Sequence, residues 1–161
     1  MVLICGHGGR DIRCGILGPV LRDEFRKVLG SNGIGVTRKV TGIVKGTVKK
    51  PISYTIAQTV GGWETRNGNG EDVKPPGSLA RVGLISHIGG HKFAGNVIVY
   101  LPPQMKTKEG KAHALAGCGI WYGRVEPKHV EGIVKETILG GRVIGDMFRG
   151  GIRQGGEMIR M

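Results

Sequence analysis

The chain is short of the residues that would place it in several large classes of protein. It has only three cysteines in 161 residues, an odd number and too few for the disulfide framework of a small secreted domain, which points to a reducing compartment. Aromatic residues make up 5%, so no platform for stacking successive bases is readable, and no recognition-helix pattern accompanies the basic residues. No apolar run approaches the roughly 18 residues that argue for a membrane helix. The first apolar stretch, Val2-Leu3-Ile4, is too short for a signal-peptide core and runs directly into Cys5. Cys-x-x-Cys, the Gly-x4-Gly-Lys-Ser/Thr phosphate loop and Gly-x-Gly-x-x-Gly are all missing. Their absence weighs against dithiol exchange and against nucleotide binding by a glycine-rich turn. No nucleophile–base pair or substrate pocket is readable, so an electron carrier is favoured over an enzyme with its own substrate.

Acidic residues are also scarce. Twelve Asp and Glu stand against 24 Lys and Arg, for a net charge of +12. The cations are dispersed from Arg38 and Lys39 through Lys106, Lys108 and Lys111 to Arg142, Arg149, Arg153 and Arg160. Such dispersion disfavours nucleic acid and fits a solvated basic surface or a docking face for an acidic redox partner. Glycine, by contrast, is abundant at 31 residues, and this demands tight turns and close backbone approaches.

Two pairs of potential metal ligands stand out. Cys5 and Cys14 bracket CGHGGRDIRC, and His87 and His91 bracket HIGGH. Two thiolates and two imidazoles complete the ligand set of one zinc ion or one [2Fe–2S] cluster. The eight residues between the cysteines are loose for a zinc knuckle. A glycine-rich loop of that length can wrap a larger object and turn backbone N–H groups towards bridging sulfides. Gly89 and Gly90 argue for a turn that aims both imidazoles at one iron rather than for a helical His-x3-His. Zinc and a metal-free thiol site remain open on these spacings alone.

Periodicity places these pairs. Val2 to Cys5 predicts a strand, residues 6–16 a loop, and Pro19 to Leu29 a helix with a stripe through Val20, Leu21, Glu24, Phe25, Val28 and Leu29. Residues 31–79 are read as an insertion. Arg81 to Ser86, Asn96 to Leu101 and Gly119 to Val125 predict strands, and Pro127 to Leu139 a second helix stopped by Gly140-Gly141. The basic, glycine-rich tail 142–161 is expected to be loose beyond Gly150. The alternation predicts one α/β domain over 1–161, a small mixed sheet with flanking helices. If the strands leading to Cys5 and His87 are adjacent and parallel, their loops share one site.

CGHGGRDIRCG at 5–15, SHIGGHKFAGNVIVYLP at 86–102 and WYGRVEP at 121–127 resemble the thioredoxin-like ferredoxin domain of the sucrase/ferredoxin-like family. Within it, the chain is similar to the fungal branch named for altered inheritance of mitochondria. The family pattern is Cys-x8-Cys followed by His-x-Gly-Gly-His, and every position matches. The resemblance implies a thioredoxin-like ferredoxin fold with a long insertion after the first helix. It also implies a bis-histidinyl [2Fe–2S] cluster with Cys5 and Cys14 on one iron and His87 and His91 on the reducible iron. A redox protein partner follows from that role, with no membrane contact. The branch alone points to the mitochondrial matrix, with the cytoplasm as the alternative, and to a domain excised from a longer protein. A thioredoxin-like thiol oxidoreductase and a zinc-stabilised Cys2His2 module are the rival readings.

Around the ligands, His7 is read as a structural neighbour. Arg10 and Asp11 are read as a pair fixing the loop, Arg13 as tuning cluster charge, and Lys92 and Asn96 as closing the second loop beside Gly89 and Gly90. Cys118 reads as a buried small apolar residue, His113 and His129 as solvated, and Trp121 and Tyr122 as sheet and core.

Overall fold

The computed structural model describes residues 1–9, 11–37, 78–107 and 109–160, the side chain of His91 excepted. Its strands are β1 (Val2–Cys5), β2 (Gly35–Thr37), β3 (Leu79–Ile85), β4 (Val97–Tyr100), β5 (Gly119–Tyr122), β6 (Phe148–Ile152) and β7 (Met158–Ile159). They form one open mixed sheet in the order β2-β3-β1-β4-β5-β6-β7. β2, β3 and β1 run parallel, and the remaining pairings are antiparallel. Helix α1 (Ile12–Ser31) packs against β1, β2 and β3 and against the second helical run. That run covers 127–139 as a 3-10 turn (Pro127–His129), one α-turn (Val130–Gly132) and a π-helical segment (Ile133–Leu139). The arrangement is the expected mixed α/β, thioredoxin-like one. No described helix is long and apolar enough to cross a membrane.

The core follows from two periodicities. Val2 and Ile4 alternate inward from β1, as do Val97 and Val99 from β4 and Ile120 and Tyr122 from β5. From α1 the inward stripe is Cys14, Gly18, Leu21, Phe25 and Leu29, spaced by three or four residues as a helix face requires. Helix α1 therefore begins well before the predicted Pro19. Asp11 caps it, its carboxylate accepting the Arg13 backbone N–H at 2.9 Å. Pro19 sits inside the helix and removes only the N–H that would have reached back four residues to Gly15.

Two further expectations are corrected. Gly35–Thr37 lies in the stretch read as an insertion yet pairs with Leu79–Arg81 at the sheet edge; most of that stretch, 38–77, lies outside the described residues. The tail is not loose beyond Gly150. β6 pairs with β5, and β7 pairs with β6. Glycine is what admits this pairing, since a Cβ on Gly151 would sit 3.0 Å from the Gly119 carbonyl.

Candidate metal centre

β1 and β3 are parallel neighbours in register from Val2↔Val82 to Cys5↔Ile85, so both ligand loops leave the same end of the sheet. The Gly6 N–H donates to the Ile85 carbonyl at 3.1 Å, and the Cys5 N–H to the Asn96 carbonyl at 3.0 Å. These bonds hold the start of the cysteine loop between β3 and β4. Cys5 ends β1, and Cys14 is the third residue of α1; both are buried free thiols. The cysteine sequence read as a loop is thus half loop and half helix.

Close backbone packing brings the thiols together. A Cβ on Gly15 would stand 2.5 Å from Gly8 Cα, and one on Gly18 would stand 2.7 Å from the Cys5 carbonyl oxygen. Only glycine lets the first turns of α1 rest directly on the 5–8 loop. Cys5 Sγ lies 3.8 Å from His87 Nδ1, and the ligand atoms of Cys5, Cys14 and His87 all fall within 4.8 Å of one another. Burial, followed by the neighbouring Cys5 thiol, pushes the Cys14 thiol up to about 11, with Arg13 pulling the other way. A cation that displaced both thiol protons would relieve that crowding.

The histidine loop is clamped from outside. Gly89 adopts φ +71°, and a Cβ there would lie 2.8 Å from Trp121 Cζ2 and 3.0 Å from Asn96 Oδ1. Asn96 is fully buried; its Oδ1 accepts the Trp121 Nε1–H at 3.2 Å, and its Nδ2 has no hydrogen-bond partner among the described residues. His91 opens the 3-10 turn His91–Phe93, and its side chain lies outside what is described.

The remaining residues take definite places. His7 is exposed. Arg10, expected to pair with Asp11, lies outside the described residues. Asp11 holds Arg13 through two side-chain bonds of 3.1 and 2.8 Å, so the charge expected to act on a cluster is shared with a carboxylate. Lys92 is exposed beside the Phe93 ring. Cys118 is buried, its Sγ directed at the Ala116 carbonyl. His113 is not solvated. It is 3% exposed, with Nε2 at 3.1 Å from the Ile138 carbonyl and Nδ1 accepting the Leu115 N–H, and it ties the 113–117 turn to the end of the second helical run. His129 caps that run through the Glu126 N–H. The packing roles of Gly15, Gly18 and Trp121 are not readable from residue type or spacing, because each depends on a contact that exists only in the fold.

The sucrase/ferredoxin-like family profile matches residues 1–150. The chain belongs to the sucrase/ferredoxin-like family. Among relatives, it is 35% identical over 150 residues to altered inheritance of mitochondria protein 32 of Debaryomyces hansenii, covering 93% of this chain and 35% of that protein. The protein of the same name from Clavispora lusitaniae is also 35% identical over 150 residues, covering 93% of this chain and 34% of that one. In Saccharomyces cerevisiae the identity is 29% over 150 residues, covering 93% and 32%. The chain therefore spans about a third of the length of these relatives. No solved structure matches it significantly. The matched region of this family member contains both ligand loops and the Cys5, Cys14 and His87 group.

Proposed function

We propose that the chain is a [2Fe–2S] cluster-binding electron-transfer or redox-sensing domain. Cys5 and Cys14 ligate one iron, and His87 and His91 ligate the other. The observation that carries this reading is the convergence of two buried cysteines and a histidine at the end of a parallel strand pair. The donor set fits the group. Both cysteines are free, Cys14 sits in the first turn of a helix where backbone N–H groups favour a thiolate, and Asn96 Nδ2 is a buried donor with no partner among the described residues. When bound, such a cluster supplies one-electron transfer. The chain supplies the thiolates, orients His87 through the loop braced on Trp121, and excludes water from Cys5 and Cys14 by packing α1 onto the 5–8 loop. The partner is a redox protein. The relatives' names refer to mitochondrial inheritance, and this supports the mitochondrial matrix as the place of action.

A single zinc ion is the second reading, favoured by one distance. The 3.8 Å between Cys5 Sγ and His87 Nδ1 is near the edge of about 3.5 Å expected for a tetrahedron with bonds of roughly 2.0 and 2.3 Å. A two-iron cluster with its cysteines and histidines on separate irons needs His87 to stand farther out.

His87→Cys in the iron-loaded protein tests the ligand assignment. A thiolate in place of a neutral imidazole adds negative charge that opposes an incoming electron. The variant should retain iron and lose on the order of 100 mV in reduction potential, given the spread between all-cysteine and histidine-ligated clusters. An unchanged potential and visible spectrum would remove His87 from the ligand set.

A further inference from the structure

Phe93 is ringed by positive charge. The Arg149 guanidinium lies 3.3 Å from the ring centroid, Lys92 Nζ 5.0 Å and the Arg124 guanidinium 5.2 Å. All three cationic residues are exposed. Phe93 closes the turn that His91 opens, its N–H donating to the Gly90 carbonyl at 2.9 Å, and its own carbonyl accepts the Arg124 N–H at 3.4 Å. The three charges therefore sit on the outer side of the histidine loop, although they come from three separate stretches of sequence.

Their lack of carboxylate partners contrasts with the cations of the helices. Along α1 and the second helical run, cations meet carboxylates, as in Arg22–Asp23, Lys27–Glu24, Lys135–Glu131 and Arg142–Glu136. None of Lys92, Arg124 and Arg149 forms an ion pair among the described residues. Like charges gathered on one ring, in a chain of net charge +12, repel one another. Arg124 is moreover the one non-glycine residue with positive φ, +57°, among those described, a conformation disfavoured for a side chain of this size. Mutual repulsion and backbone strain coincide at an exposed spot next to the candidate centre.

We propose that Lys92, Arg124 and Arg149 form the docking surface for an acidic protein that exchanges one electron with the centre through the histidine loop. The inference rests on the cluster reading above. Unpaired exposed cations are complementary to carboxylates, and they steer encounter over a distance set by ionic strength. Nucleic acid fits less well, because the Arg149 guanidinium already lies 3.3 Å from the Phe93 ring centroid and competes with a base for stacking there.

The test uses the iron-loaded chain and a triple Lys92→Gln, Arg124→Gln, Arg149→Gln variant. The control is Lys27→Gln, Lys128→Gln, Lys135→Gln, which removes equal charge elsewhere. Each reduced protein gives one electron to ferricyanide, an anion, or to hexaamminecobalt(III), a cation, in stopped flow at several ionic strengths. The proposal expects ferricyanide oxidation to slow by on the order of tenfold in the first variant, hexaamminecobalt oxidation to quicken, and both differences to fade with salt. The control should change little, and Arg149→Lys should keep most of the rate. Equal effects of the two triple variants would overturn the proposal. Fluorescence anisotropy with labelled polyglutamate and with a single-stranded oligonucleotide completes the test. Polyglutamate binding weakened by the first variant alone supports it, whereas oligonucleotide binding that depends on these residues while polyglutamate fails to bind overturns it. If the chain holds no iron, the polyglutamate arm still reads the docking surface, so failure of the cluster reading and failure of the surface remain distinct.

Discussion

Cys14 sits where opposing effects meet. The first turn of α1 and Arg13 favour its thiolate, while burial and the nearby Cys5 thiol favour the protonated form and push its pKa up to about 11. The raised value means that the folded, metal-free chain prefers the neutral thiol. This contribution to stability is complete below the ordinary thiol value of 9.0 and is lost as pH climbs through about 11. Two results should follow in metal-free protein. Alkylation of Cys14 by iodoacetamide should be slow at neutral pH and accelerate only towards pH 11, and thermal stability should fall over the same range. Rapid alkylation at pH 7 would contradict the placement of this thiol. The grouping of Cys5, Cys14 and His87 was legible in the sequence, because it follows from residue type and from loops that leave neighbouring strands. The buried amide of Asn96 was flagged only as closing a loop, since its contact with Trp121 crosses from one strand to another.

Among the elements, α1 shows both what the sequence carried and what it concealed. Its stripe from Val20 to Leu29 holds the buried Leu21, Phe25 and Leu29 but also takes in the exposed Val20, and Pro19 resembles a helix start and hides the turns that carry Cys14. Gly18 sits in that hidden part and looks like any other glycine. Its meaning comes from the Cys5 carbonyl against which it packs. Gly18→Ala places a Cβ 2.7 Å from that oxygen and should destabilise the protein by about 1–3 kcal/mol, with weakened metal retention as the first turn of α1 lifts away. Gly30→Ala, in the same helix, meets nothing within 4 Å and should stabilise by up to about 1 kcal/mol. Thermal unfolding of the two variants should shift in opposite directions; a shared direction would contradict the packing described. β6 escaped sequence reading for a related reason. Gly150 and Gly151 read as flexibility in one dimension, whereas across the sheet Gly151 is the residue that lets the strand lie against Gly119. His113 likewise gave no sign of burial, because its partner carbonyl belongs to Ile138, 25 residues away.

At the scale of the whole molecule, a thioredoxin-like sheet brings two loops from distant parts of the chain to one end and leaves a cationic rim beside them. The alternation of strands and helices made a shared end conditional on adjacent, parallel strands, and the register of β1 and β3 meets that condition; membership of the sucrase/ferredoxin-like family extends across both loops. Everything functional depends on what those loops hold. The most direct measurement is iron, zinc and acid-labile sulfide per chain in protein expressed with ample iron and purified without oxygen. About two irons and two sulfides per chain, with a red-brown spectrum, are predicted, and Cys5→Ser or Cys14→Ser should abolish them. One zinc per chain with no iron, in colourless protein, would contradict the account.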